Sequence, residues 1–181
     1  MSGITRIHID DEISNYSLSF QRRNQISRNS INLFNNIYRQ LLPLEDGEDV
    51  HYVRKDELMG RYDSMEGIDV ILNLKTNERL TLQEKCLTTG FNTVTFETQK
   101  NSQVLGNYYT CTAQLYFVGY VNEEFTQCLR YCLLDFARFK IMYAQGNILC
   151  HHRQNNRDGN RQKFMYCDIS CLPSECVIAR T

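Results

Sequence analysis

Residues 67–86 read GIDVILNLKTNERLTLQEKC, and the order of apolar and polar side chains in this stretch decides the fold. Ile68, Val70, Leu72 and Leu74 alternate with Asp69 and Asn73. After KTNE, Leu80 and Leu82 alternate with Arg79, Thr81, Gln83 and Lys85. Period-two alternation in two runs, with a polar turn between them, predicts a β-hairpin. If both apolar sides meet one core, even-numbered residues point in, odd-numbered residues point out, and paired positions sum to an even number. A three-residue turn with a bulge supplies that register. Asp69 then shares a face with Gln83 and Lys85, within side-chain reach. Glu84 faces the other way, and Ile71 is the apolar exception on the odd face.

Working outward, Ile31, Phe34, Ile37, Tyr38 and Leu41 fall at helical spacing, predicting a helix from Ser27, a suitable N-cap, to Leu42, with Pro43 as its stop. DVHYVRKD reads as a strand and DELMGRYDSMEG as a loop. Downstream, TVTFET reads as a strand with Thr95 and Glu97 on one face, and CTAQLYFVGYV as a central strand. EEFTQCLRYCLLDFARFKIMYAQG reads as one helix, because Phe125, Cys128, Leu129 and Cys132 follow helical spacing and Gly146 is a C-terminal stop. The tail gives a basic loop, HHRQNNRDGNRQK, then the strands FMYCDIS and CVIA. The expectation is a single α/β domain over residues 1–181, a mixed central sheet flanked by helices. Its core spans about 27–145, with a C-terminal basic loop and strand extension at 146–181.

The 181 residues suffice to bury about two-thirds of the unfolded surface. With 42% hydrophobic and 23% charged residues, the chain has ordinary globular composition, which argues against wholesale disorder. A net charge of −1 excludes a histone-like coating protein, but not a nucleic-acid enzyme with a local basic patch. No run approaches the roughly 18 apolar residues a membrane span requires, and the acidic N-terminal stretch is unlike a signal peptide. An intracellular, cytoplasmic protein is expected, in which the eight cysteines are buried hydrophobes, metal ligands or nucleophiles rather than bridges.

An acid on one strand, with a polar oxygen donor and a lysine two residues apart on the next, has a specific chemical use. Carboxylate and amide oxygens suit Mg²⁺, and a nearby lysine orients water or stabilises charge on a phosphate. GID at 67–69 followed by LQEK at 82–85 resembles the core motif of the PD-(D/E)XK nuclease superfamily, over roughly residues 27–120. The resemblance implies a restriction-endonuclease-like core and a Mg²⁺-dependent DNA endonuclease, with Mn²⁺ able to substitute. By that pattern Asp69 binds metal, Gln83 takes the second-ligand position and Lys85 is the catalytic lysine. Gln83 stands where most members carry Asp or Glu, so another acid is expected to assist. Glu97, on the expected adjacent strand, leads, ahead of Glu66 and Asp63. Double-stranded DNA is the implied partner and a homodimer the implied assembly, since C2 symmetry matches a duplex.

Arg153, Arg157, Arg161 and Lys163 in the basic tail are candidate phosphate contacts, as are Arg22, Arg23 and Arg28. Tyr108 and Tyr109 are candidates for base stacking, against a core role. Cys167, Cys171 and Cys176, with Cys150 or a neighbouring histidine, are loosely spaced for zinc. Cys86 lacks an evident histidine partner for thiol chemistry. Two alternatives to the nuclease stand beside it: a non-catalytic nucleic-acid-binding module on the same fold, and a protein-interaction or assembly protein.

Overall fold

A computed structural model describes residues 30–45, 47, 49–53, 67–88, 91–101, 103–155 and 161–181. Ser27, the Arg22, Arg23 and Arg28 cluster, the loop carrying Asp63 and Glu66, and Arg157 lie outside the described residues.

The hairpin forms as its alternation dictates. Strand β2 (Val70–Asn73) pairs antiparallel with β3 (Arg79–Leu87) through Val70 with Leu82, Ile71 with Thr81 and Leu72 with Leu80, all even sums. Leu74 N donates to Glu78 O at 2.9 Å across a turn of Lys75, Thr76 and Asn77. Asn77 sits at φ 62°, the left-handed conformation Asn tolerates and the bulge requires.

The other elements extend this hairpin into a six-stranded sheet. Strand β1 (Val50–Tyr52) flanks β2, and β5 (Leu115–Val121) lies parallel to β3. Strand β6 (Cys128–Asp135) pairs antiparallel with β5, and the last strand, β9 (Val177–Arg180), closes the edge against β6. A parallel neighbour requires a crossover. This one carries β4 (Thr93–Gln99) and a short helix α2 (Asn107–Thr110). Strand β4 joins a second, three-stranded sheet in the order β4-β8-β7, with β7 at His151–Asn155 and β8 at Gln162–Asp168. The protein is therefore mixed α/β with a mixed central sheet.

Both faces of that sheet are covered. Helix α1 (residues 30–41) lays Phe34, Ile37 and Tyr38 on Val70, Leu72, Leu82, Phe117 and Leu133, the stripe its spacing predicts. On the opposite face Tyr116, Val118, Cys132 and Leu134 pack with Phe96, Met165, and Phe136 and Phe139 of helix α3 (Phe136–Ala144). The odd-numbered face of the hairpin thus does not point out to solvent. Ile71 and Leu87 are half-buried against this second core, which accounts for the apolar exception.

Three further expectations are corrected. The region read as one long helix is strand β6 followed by α3. Residues 128–135 gain seven pairings with β5, and long-range pairing overrides a short run of helical spacing. The helix begins after Asp135, whose side chain caps it by accepting from Arg138 N at 2.9 Å. Gly146 does end it, at φ 78°, with Gly146 N donating to Tyr143 O and Asn147 N to Met142 O. The basic loop is the β7–β8 hairpin, hidden from sequence because every β7 side chain is exposed and none is apolar. Finally, Cys150 and Cys167 form a disulfide, so these two are neither reduced nor zinc ligands. The C-terminal segment supplies the edge strand β9 and two of the three strands of the second sheet.

Candidate functional site

Asp69 lies one residue before β2 and Gln83 one residue beyond its partner Leu82, so the even register sets them opposite each other. The contact forms: Gln83 Nε2 donates to Asp69 Oδ2, and Glu84 N donates to the same oxygen at 2.8 Å. Asp69 N in turn donates to Leu82 O at 2.9 Å, continuing the ladder one step past the strand. Gly67 sits at φ 62°. A Cβ there would stand 3.0 Å from Gln83 Oε1 and from Cys111 Cβ, so glycine lets the chain pass close under the amide. Cys111 Sγ donates to Gly67 O at 3.2 Å, closing the turn from the far side.

Lys85, two residues along the same face, reaches the second sheet. Its Nζ donates to Thr95 O at 3.2 Å, and Tyr116 Oη donates to the same carbonyl at 3.0 Å. Tyr120 Oη likewise serves Thr93 O. Strand β4 is an edge strand, and these side chains from the central sheet occupy carbonyls that a further strand would otherwise take. Burial lowers the Lys85 pKa from its ordinary value, and the charge of Glu97 opposes the drop.

Glu97 is not on the strand next to β3, as expected from sequence; that neighbour is β5, and Glu97 belongs to the second sheet. It acts on Lys85 electrostatically from there. Its backbone N donates to Asn107 Oδ1 at 3.1 Å. A Cβ on Gly106 would stand 2.2 Å from Glu97 O, so α2 docks on β4 through a glycine. Gly106 and Asn107 position Glu97 and were missed in the sequence, where an isolated Gly-Asn pair reads as an ordinary turn.

Glu84 points to the opposite face, as parity predicts. Tyr38 Oη and Tyr52 Oη donate to its Oε2 at 2.6 and 3.2 Å, linking α1 and β1 to β3. Burial, with a contribution from the Asp69 charge, pushes its carboxyl up to about 7, against the lowering effect of the two hydroxyls.

The described basic residues do not form one patch. Arg153 pairs with Phe164, and Gln154 with Lys163, so Arg153 and Lys163 lie on opposite faces of the hairpin. Lys163 joins His152, Tyr109 and Gln99 around a pocket of about 410 Å³. Arg161 is exposed just before β8. Tyr108 is a core residue, whereas Tyr109 is exposed. Burial pushes Cys86 up to about 11, which opposes thiolate chemistry at neutral pH.

Asp69, Gln83 and Glu97 carry hard oxygen donors of the kind Mg²⁺ takes, and Gln83 meets Asp69 through its amide nitrogen, with Oε1 toward Gly67. Among the described residues, no group of three or more His, Cys, Asp or Glu is placed to hold a metal ion. No helix among them is long and apolar enough to cross a membrane. Comparison of the chain with family models, with curated proteins and with solved structures found no match.

Proposed function

We propose that the protein is a metal-dependent endonuclease of the PD-(D/E)XK type, hydrolysing phosphodiester bonds in DNA. The observation that carries this reading is the direct Asp69–Gln83 contact across the hairpin, with a half-buried Lys85 two residues farther along the same face. Asp69 and Gln83 would hold Mg²⁺ or Mn²⁺ through oxygen, with Glu97 as the assisting acid. The metal would supply Lewis-acid stabilisation of the charge that builds on the phosphate. In this reading, Lys85 holds a proton less tightly than an exposed lysine, because its ammonium is desolvated. It is suited to orienting the attacking water and to exchanging a proton with it. Gln83 reaches the carboxylate because Gly67 leaves room beneath the amide. A homodimer acting on double-stranded DNA completes the proposal.

A second reading, a non-catalytic nucleic-acid-binding module on the same architecture, is favoured by one observation. The neutral Gln83 amide satisfies Asp69 by itself, through a hydrogen bond. Nicking of supercoiled plasmid with Mg²⁺ or Mn²⁺ separates the two. The endonuclease reading predicts cutting by wild type that Asp69→Ala and Lys85→Ala each abolish, together with a rise in Tm on adding Mn²⁺ that Asp69→Ala removes. Absence of cutting and of Mn²⁺ stabilisation moves the assignment to the binding module. Cutting that survives both substitutions rejects this site.

A further inference from the structure

Strand β8 alternates across the second sheet, and its inner side continues past the core. Met165 and Cys167 are buried on that side, and Lys163, two residues earlier, shares it. Directly opposed residues lie on one face, so Gln99, paired with Lys163, and His152, paired with Met165, lie there too. Lys163 and His152 are nevertheless exposed, and neither core cluster includes them. The isolated bridge between Gln99 and Leu105 brings the segment before α2 to the rim. With Tyr109, these residues border the pocket of about 410 Å³.

Charge and shape together define what this pocket accepts. Lys163 lines it and no acid does. Glu97 is on the opposite face of the sheet, with its partner Phe164. Among the described residues, Lys163 is in no ion pair and its ammonium has no hydrogen-bond acceptor. The wall is apolar: Val104, Leu105 and Tyr109 are 45%, 57% and 59% exposed. Tyr109 meets Tyr108 edge to face, at 82°, and no ring is stacked on it. His152 is fixed on its own side by Tyr143, with Oη 3.2 Å from Nε2.

We infer that this pocket is a binding site for a small aromatic carboxylate, its head on Lys163 and its ring against Tyr109 and Leu105. One unpaired ammonium matches a monoanion, whereas a polyanion is held through several cations. A neutral ring would leave that ammonium without a partner, and a bare anion would leave the apolar wall in water. The volume falls within the range of about 300–1,000 Å³ usual for small-molecule sites, which also combine apolar walls with a few polar groups. The site goes beyond the endonuclease reading and does not depend on it.

The test is isothermal titration calorimetry of the full chain with 2-naphthoate, with its neutral counterpart 2-naphthol, and with acetate as the head alone. Naphthoate is expected to bind at least about tenfold more tightly than either, the worth of one charge-assisted contact. Lys163→Gln should weaken naphthoate by about tenfold and leave naphthol unchanged, whereas Tyr109→Ala should weaken both. Both side chains are exposed, so the variants should keep the wild-type Tm. Naphthoate that binds no better than naphthol or acetate, or that binds Lys163→Gln as it binds wild type, overturns the inference.

Discussion

Gly67 carries two demands at once, a left-handed φ and a close approach to Gln83 and Cys111. Gly67→Ala should therefore cost about 1–2 kcal/mol in urea denaturation, and plasmid cutting should fall with it as the Gln83 amide is displaced. Lys85→Arg keeps a charge but holds its proton at any accessible pH. It should lose cutting as fully as Lys85→Ala, a comparison that separates proton exchange from charge alone. Glu84 sets a pH dependence on the other face. Folding raises its carboxyl from 4.5 to about 7, so the folded state binds the proton more tightly than the unfolded chain does. The associated stabilisation is complete below about pH 4.5 and is lost as pH rises through about 7, a swing of about 3 kcal/mol. Glu84→Gln keeps an acceptor for the Tyr38 and Tyr52 hydroxyls and removes the charge. The variant should unfold at higher urea than wild type at pH 8, and its stability should change less between pH 5 and pH 8. The pairing of Asp69 with Gln83, and the opposite orientation of Glu84, were legible because alternation fixes side-chain direction. The depth of their burial was not, since Asp, Gln and Lys on the odd face look like solvent-facing residues until a second sheet covers them.

At the scale of elements, period-two patterning identified strands wherever one side met a core. The β2–β3 hairpin and strand β4 are of this kind, whereas β5, buried along its whole length, was legible as a continuous apolar run. Alternation failed where another signal was superimposed. In β6, Cys128, Leu129 and Cys132 sit at spacings that fit a helix, and pairing with β5 decides otherwise. Strand β7 carries no apolar residue, so no alternation exists to read, and its place in the sheet comes from β8. The disulfide was equally hidden, because a bridge depends on register rather than spacing. Tyr166 pairs with His151, so the preceding Cys150 falls opposite Cys167. That cross-strand link closes a loop with a sequence separation of 17. Its reduction should cost about 3 kcal/mol by loop entropy. Thiol titration of the unfolded protein without reductant should count six free cysteines, rising to eight with reductant. A count of eight from the start would show the pair open. Dithiothreitol should then leave Tm unchanged instead of lowering it.

For the whole molecule, the chain order and the spatial order are interleaved. Strand β4 leaves the central sheet to pair with β8, which follows more than 60 residues later, and β9 returns to cover β6. Residues Met165, Cys167, Ile169, Leu172 and Cys176 from the last part of the chain are buried in the same core as Phe96, Tyr116 and Phe136. Removing that part strips apolar cover from one whole face of the sheet, at roughly 25 cal/mol for each Å² exposed. It also leaves β4 without a strand partner and β6 with an open edge. A fragment of residues 27–145, the core expected from sequence, therefore retains the hairpin and all three candidate site residues Asp69, Gln83 and Lys85. It should nevertheless lack a cooperative thermal transition, bind a hydrophobic dye and fail to cut plasmid. A sharp transition near the full-length Tm would instead make the second sheet dispensable for folding. The comparison is informative because the site's ligands and its scaffold then separate. Asp69 and Gln83 come from one local hairpin, whereas Lys85 is held at Thr95 by a strand that pairs with β8 of the C-terminal segment. Loss of cutting in a fragment that still bound Mn²⁺ would place the catalytic requirement on Lys85 and its support rather than on the metal donors.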